Sequence, residues 1–435
     1  MWTTGASVFL VSTFHRTAPG VLSREFMGSF AIDASTFALL SALYFYVYAG
    51  LLVPSGLFVD TYGPRLVLTC SSTVMGVGTL LMAWAGDVRT LFIGRFMLAA
   101  GASAIFVCTL KIASLWLPAQ QFAMLSGLTL SVGTVGALAG TLPFAVLVSL
   151  IGWRSGLALT GGLALLLAVV AWSLVRDRPA LSPAGSDPHG RPVGTRSTLK
   201  DTLTGMIAVV KNPPSRPPMI AFALIYSAWF NLLLWATPCL RDVYGLATAP
   251  AAGYAAAISL GFLIAAPLTG YAFDRVFQCR RLPYVALCVG QFLALVLFLV
   301  GLGRAPLWAV WLFLFAIGMT GGAFVLTYPL IRNVNPPELA GVSVALVNFT
   351  GFLGAAVSQG LTGVLLDTLW AGDLREGARA YPVHAYTALF LGCALLLLGA
   401  VLSAARVHET GGRSVRGVRS EPTSNAPTST GPEPS

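Results

Sequence analysis

The chain has 435 residues, of which 56% are hydrophobic and only 10% charged, and its mean hydropathy is +0.79. An average soluble domain carries roughly 25% charged residues, so this chain cannot cover a water-facing surface of its own size, and a soluble enzyme is excluded. Its net charge of +10 would point to nucleic acid in a soluble protein; in a membrane protein it follows from the Lys and Arg that cytoplasmic loops collect. The cysteines (Cys70, Cys108, Cys239, Cys279, Cys288, Cys393) are scattered without a CxxC pair, so neither a disulfide framework nor a structural zinc site is read from them. The first apolar stretch lacks a basic leader and is interrupted by His15 and Arg16, so it does not read as a cleavable signal.

A membrane-spanning helix needs about 20 mostly apolar residues. That criterion predicts spans over 5–23, 35–58, 66–85, 90–113, 122–147, 153–175, 217–240, 250–273, 283–302, 306–331, 340–366 and 382–405. The fold class is all-α and integral to the membrane, with twelve helices in two pseudo-symmetric six-helix bundles, 1–175 and 217–405. Between them, 176–216 is rich in Pro, Gly, Ser and Arg and reads as a flexible cytoplasmic linker, while 406–435 is too poor in apolar residues to fold and reads as a disordered tail. With both termini inside, the inner face holds Arg65, Lys111, Arg275, Arg280, Arg281, Arg332 and the basic residues of linker and tail. The outer face then holds Arg24, Arg89, Arg154, Arg241, Arg304, Arg375 and Arg379, the smaller set, so the termini are expected in the cytoplasm of a plasma membrane, here a bacterial inner membrane.

The two halves share a register. Gly56 and Asp60 after span 2 recur 214 residues later as Gly270 and Asp274 after span 8, and the same offset carries Gly127 onto Gly341 and Gly140 onto Gly354. The first copy, Pro54-Ser-Gly56-Leu-Phe-Val-Asp60-Thr-Tyr-Gly63-Pro-Arg65, resembles the signature loop G-x-x-x-D-x-x-G-R/P-R of the major facilitator superfamily, and the resemblance extends from span 1 to span 12. It implies a transporter that works by alternating access, with Gly56, Asp60, Gly63, Arg65, Gly270, Asp274 and Arg275 as a gating motif and Arg65 able to pair across the cytoplasmic gate. The second copy departs from the pattern after Asp274-Arg275 and has no second glycine, which makes that latch the weaker one.

An Arg at mid-membrane costs on the order of 2.5–3.5 kcal/mol on insertion scales, so Arg16 in span 1 and Arg95 in span 4 are functional candidates by default. Arg95 opens Arg95-Phe-Met-Leu-Ala-Ala-Gly101, which resembles an R-x-x-x-G-type motif of the superfamily that moves protons or braces the helix. Every carboxylate falls in a loop, a tail or a helix end, so a buried acid relay is not supported; His15 is the group left to carry a coupling proton, and uniport or exchange for a counter-substrate is the alternative. Cationic groups without nearby acids make a positive cavity that favours an anion. Tyr44 and Tyr48 share a helix face, and Tyr48 to Arg65 looks most like the organic-anion (anion:cation symporter) branch. Tyr226, Asn231, Trp235, Tyr328 and Asn348 complete the substrate-binding candidates, with Gln359 among the polar groups set down to helix contacts or ligand.

The function expected is secondary active transport of a small organic anion by a monomer, with the bilayer and a small solute as partners, and with no cofactor, no metal, no nucleic acid and no catalytic residue. A copper-type metal permease, a drug or metabolite exporter and a non-transporting sensor are the alternatives, although span 5 lacks the Gly-Pro dipeptide of the drug:proton antiporters.

Overall fold

The computed structural model describes residues 1–116, 119–177, 199–275 and 281–409. Its helices in chain order are α1 (Trp2–Thr17), α2 (Pro19–Phe30), α3 (Ala34–Tyr62), α4 (Pro64–Ala83), α5 (Val88–Trp116), α6 (Ala119–Ala139), α7 (Leu142–Ile151), α8 (Trp153–Leu174), α9 (Leu199–Lys211), α10 (Arg216–Tyr244), α11 (Thr248–Arg275), α12 (Arg281–Gly301), α13 (Leu307–Thr320), α14 (Ala323–Asn333), α15 (Ala340–Thr368) and α16 (Val383–Ala404). Eleven stretches are long and apolar enough to cross a membrane, and α1 with α2, laid end to end, supplies the twelfth.

Three of the twelve spans are broken where the sequence alone predicts continuous helices. Pro19 has no N–H to donate, and span 1 divides there into α1 and α2. Span 5 divides at Gly140-Thr141 just before Pro143, and span 10 at Gly321-Gly322. Inside the segment predicted as a flexible linker, Leu199–Lys211 is helical, and its Gly205 lies against Leu339 and Val342 at the start of α15. The rest of the linker, 178–198, and the tail from 410 lie outside the described residues.

The repeat read from sequence reappears as packing. A Cβ on Gly140 would stand 2.6 Å from the Phe14 carbonyl of α1, and one on Gly354 would stand 2.6 Å from Ser227 Oγ of α10. Spans 5 and 11 thus use glycines one repeat apart to press against spans 1 and 7, the first helices of their own bundles. The bundles meet along α3 against α15, α2 against α10, and α7 against α11.

A short hairpin of β1 (Leu374–Arg375) and β2 (Ala378–Arg379) joins α15 to α16 at the end of the molecule opposite the chain's first residues. On this hairpin face Asp33 caps α3 by accepting from the Thr36 N–H at 2.9 Å. Burial acts to raise the Asp33 carboxyl, but hydrogen bonds from Thr36 and Ser35 outweigh it and hold the group below its ordinary range. The cap is therefore fully present above that range and is lost as acidification protonates Asp33.

Gly140→Val forces a side chain against backbone, whereas Gly162→Val places one where nothing lies within 4 Å. We expect the first to destabilise the detergent-solubilised protein by about 1–3 kcal/mol and the second to be near neutral. Thermal unfolding followed by intrinsic fluorescence checks this, and equal melting temperatures would contradict the packing described.

Candidate functional site

Below the hairpin face, where α1 gives way to α2, the bundles enclose a crevice with about 230 Å³ of empty space, part of it open to solvent. Its walls come from both halves: Arg16, Thr17, Pro19 and Gly20 of span 1, Ser41 and Phe45 of α3, Arg95 of α5, Phe230, Leu233 and Leu234 of α10, and Gln359 of α15. The break at Pro19 lets the two bundles come together here, since a Cβ on Gly20 would stand 2.5 Å from the Leu233 carbonyl.

Two guanidinium groups dominate the crevice. Arg95, 2% exposed, donates from Nη1 to the His15 carbonyl at 3.1 Å, while its Nε and Nη2 are buried without a partner. Arg16 lies over the Phe230 ring at 5.2 Å, Arg95 lies over Tyr44 at 5.1 Å, and Arg16 Nε is also unpartnered. Among the described residues no carboxylate lies within 4.0 Å of either. Each buried donor left unpaired costs about 1–3 kcal/mol, so the three free nitrogens hold a polar demand that an anion would meet.

Of the substrate-binding residues predicted from sequence, Arg16 and Arg95 stand on the crevice wall. Tyr226, Tyr44, Tyr48 and Tyr328, from α10, α3 and α14, gather around Arg16 without lining it. Tyr44 and Tyr48 lie 5.9 Å apart, Tyr48 stacks on Phe352 at 4.3 Å, and Tyr328 donates to Asn348 Oδ1 at 2.9 Å. The structure does not bring His15, Asn231 and Trp235 to the crevice wall. His15 is buried with its ring 3.5 Å from the Thr79 hydroxyl of α4. Asn231 donates to Ser358 Oγ at 2.8 Å and accepts from Thr362, and Trp235 donates to Thr362 Oγ1 at 3.1 Å, so both bind α10 to α15. Ser41 and Gln359, outside the predicted binding set, do line it; the signal was a buried polar side chain in an apolar helix.

The signature loop folds back on its own bundle. Asp60 pairs with Lys111 at 2.9 Å, Arg65 lies over Trp172 at 4.3 Å and donates from Nε to the Trp172 carbonyl, and the Arg65 N–H donates to Asp177 at 2.8 Å. Gly63 adopts φ +82° to start α4, with Asp177 packed where a side chain would lie. Arg65 therefore does not reach across to the second bundle in this conformation. Gly56 and Gly270 have open space beside them, and the side chains of Asp274 and Arg275 lie outside the described residues.

What ties the bundles together is a charged latch on the hairpin face, and sequence reading missed it because its members look like ordinary loop charges. Arg24 pairs with Asp242 at 2.6 Å and Glu376 at 3.3 Å, and Arg241 pairs with Glu25 at 3.4 Å, all three across the interface. Asp242 also accepts from the Tyr386 hydroxyl at 2.7 Å and the Tyr381 N–H at 3.1 Å. Asp367 of α15 accepts from the Ala34 and Ser35 N–H groups at 3.1 and 2.7 Å, capping a helix of the other bundle. Burial and then the Asp367 carboxylate push the Tyr381 phenol up, which keeps its hydroxyl a donor to Asp367 at 2.8 Å.

A family model described as Major Facilitator Superfamily matches residues 4–359. The chain belongs to the major facilitator superfamily. It is 28% identical over 158 residues to a protein of Cupriavidus necator described as a "probable sulfoacetate transporter", a match covering 36% of each chain. It is 25% identical to a 4-hydroxybenzoate transporter of Pseudomonas aeruginosa over 78% of this chain and 79% of that one. Among solved structures, a bacterial homologue of the human lysosomal transporter Spinster superposes with a TM-score of 0.74 at 16% identity, covering 93% of this chain and 94% of that one, which shows a shared fold.

Asp242→Asn removes the carboxylate charge that pairs with Arg24 and should release the latch, since the two side chains are only 12% and 5% exposed and solvent screens their pairing little. In a Ser41→Cys reporter lacking Cys70, we expect it to raise the rate of labelling by a hydrophilic thiol reagent presented to the hairpin face several-fold. An unchanged rate would show that the latch does not hold this face closed.

Proposed function

We propose that this superfamily member is a secondary transporter that moves a small organic anion across the plasma membrane by alternating access. One observation carries the reading: two guanidinium groups, Arg95 buried and Arg16 half-buried, line a crevice between the bundles, keep three buried N–H nitrogens unpartnered, and have no carboxylate beside them among the described residues. A cation there would meet two like charges, and an anion would meet two opposite ones in a medium where each is worth far more than in water. The relatives named for sulfoacetate and 4-hydroxybenzoate, both organic acids, support the same class. The metal-permease and drug-exporter alternatives gain no support from them.

The bias of Lys and Arg supports cytoplasmic termini, which makes the hairpin face external and the latch an outer gate. The chain then stands closed to the outside, with the signature loop of the first bundle held by Lys111, Trp172 and Asp177 rather than by the second. When the outer gate opens, the freed signature loop becomes available to tie the inner ends. For coupling, the crevice supports exchange of one anion for another over a carboxylate relay, and His15, held against Thr79, has no described route to the substrate.

Arg16→Ala is expected to abolish uptake of an organic acid into proteoliposomes while leaving membrane insertion intact, and Arg16→Lys to restore only part of it, because an ammonium lacks the planar fork. Unchanged uptake by Arg16→Ala would remove Arg16 from the site. Internal loading with the same acid is expected to accelerate uptake, and a rate dependent on a proton gradient alone would replace exchange with proton coupling.

A further inference from the structure

We infer that Gln359 reads a hydrogen-bond donor on the transported anion, so that the crevice selects a hydroxylated acid over its deoxy counterpart; this rests on the anion reading just proposed. Gln359 is 2% exposed on α15 and lines the crevice. Its Nε2 donates to the Phe230 carbonyl of α10 at 3.2 Å, while its Oε1 is buried with no partner. Turning the amide over would set its oxygen against that carbonyl, two acceptors face to face, so the neighbouring backbone commits Oε1 to the crevice as an acceptor.

A carboxylate or sulfonate satisfies the free N–H groups of Arg16 and Arg95 but has no proton to give, and beside Gln359 Oε1 it would meet a second acceptor. The group that sits there must donate. An ammonium would donate, but it would enter a field set by two guanidinium charges, so a neutral hydroxyl on the anion is the group that fits both demands. Ser41 Oγ, also buried and unpartnered on the opposing α3, can donate to the acid or accept from a second hydroxyl. Five of the side-chain atoms without partners belong to these four crevice residues, three of them guanidinium donors and the other two an acceptor and a hydroxyl.

The test uses matched pairs that differ by a hydroxyl at similar charge: malate and tartrate against succinate, and lactate against propionate. Binding to the purified full-length protein is measured by tryptophan fluorescence, and competition in proteoliposome uptake is measured alongside it. For wild type the hydroxylated member of at least one pair is expected to bind about tenfold or more tighter, because a site built to bond a hydroxyl rejects the analogue that leaves its polar group unpaired. Gln359→Met, close in shape and without the acceptor, is expected to bring that ratio towards one. Equal binding within every pair by wild type, which needs no variant to fold, overturns the inference, as does a preference that survives Gln359→Met in protein that elutes as a monodisperse peak. If no acid of any pair binds, the anion reading itself fails; if acids bind without regard to the hydroxyl, only the role of Gln359 fails.

Discussion

The structure turns on two positive charges kept inside a membrane without negative partners. Arg16 and Arg95 are each costly to bury, and the protein meets that cost only in part: aromatic faces from Phe230 and Tyr44 lie against them, and a single carbonyl, that of His15, accepts from Arg95. A helical protein with no need of a ligand would close such a site with a carboxylate or replace the arginines by apolar residues, which is often neutral or stabilising. Retaining the charges with free N–H groups keeps the crevice strongly positive. The chemistry of the transported solute follows from that charge, and the rest of the fold positions it.

Positive charge is managed differently on the hairpin face and in the crevice beneath it. On the hairpin face acids are abundant, and Asp242, Glu376, Glu25 and Asp367 tie the bundles through Arg24, Arg241 and the start of α3. Near the crevice they are absent among the described residues. This separation lets one set of ion pairs hold the bundles together without neutralising the crevice a short distance below. The close approach at Gly20 and Leu233 is part of the crevice wall and lies one helical turn along α2 from Arg24 of the latch.

The number and order of the spans were legible because hydropathy over about 20 residues is a strong signal, and of the 214-residue repeat one linked pair, Gly140 and Gly354, presses against equivalent helices. The breaks at Pro19, Gly140 and Gly321 were not, since an apolar stretch reads the same whether its helix is continuous or divided. Arg16 and Arg95 on the crevice wall, and the four tyrosines around Arg16, stood out as polar groups where lipid is expected. Their distinction from Asn231 and Trp235, which face α15, needed the rotation of each helix, and that is set by packing between spans. The latch was invisible for a related reason: Asp242 and Glu376 lie far apart in sequence, and only the fold brings both to Arg24.

The central claim is that the crevice charge selects an anion. The direct measurement is a thermal-shift screen of purified wild-type protein against organic acids, sulfonates, amino acids, nucleosides, quaternary amines and metal ions. Saturable stabilisation by one or more organic anions, weakened by competing salt and absent for the cations, is the predicted result. Saturable stabilisation by a cation, with none by any anion, would contradict the account.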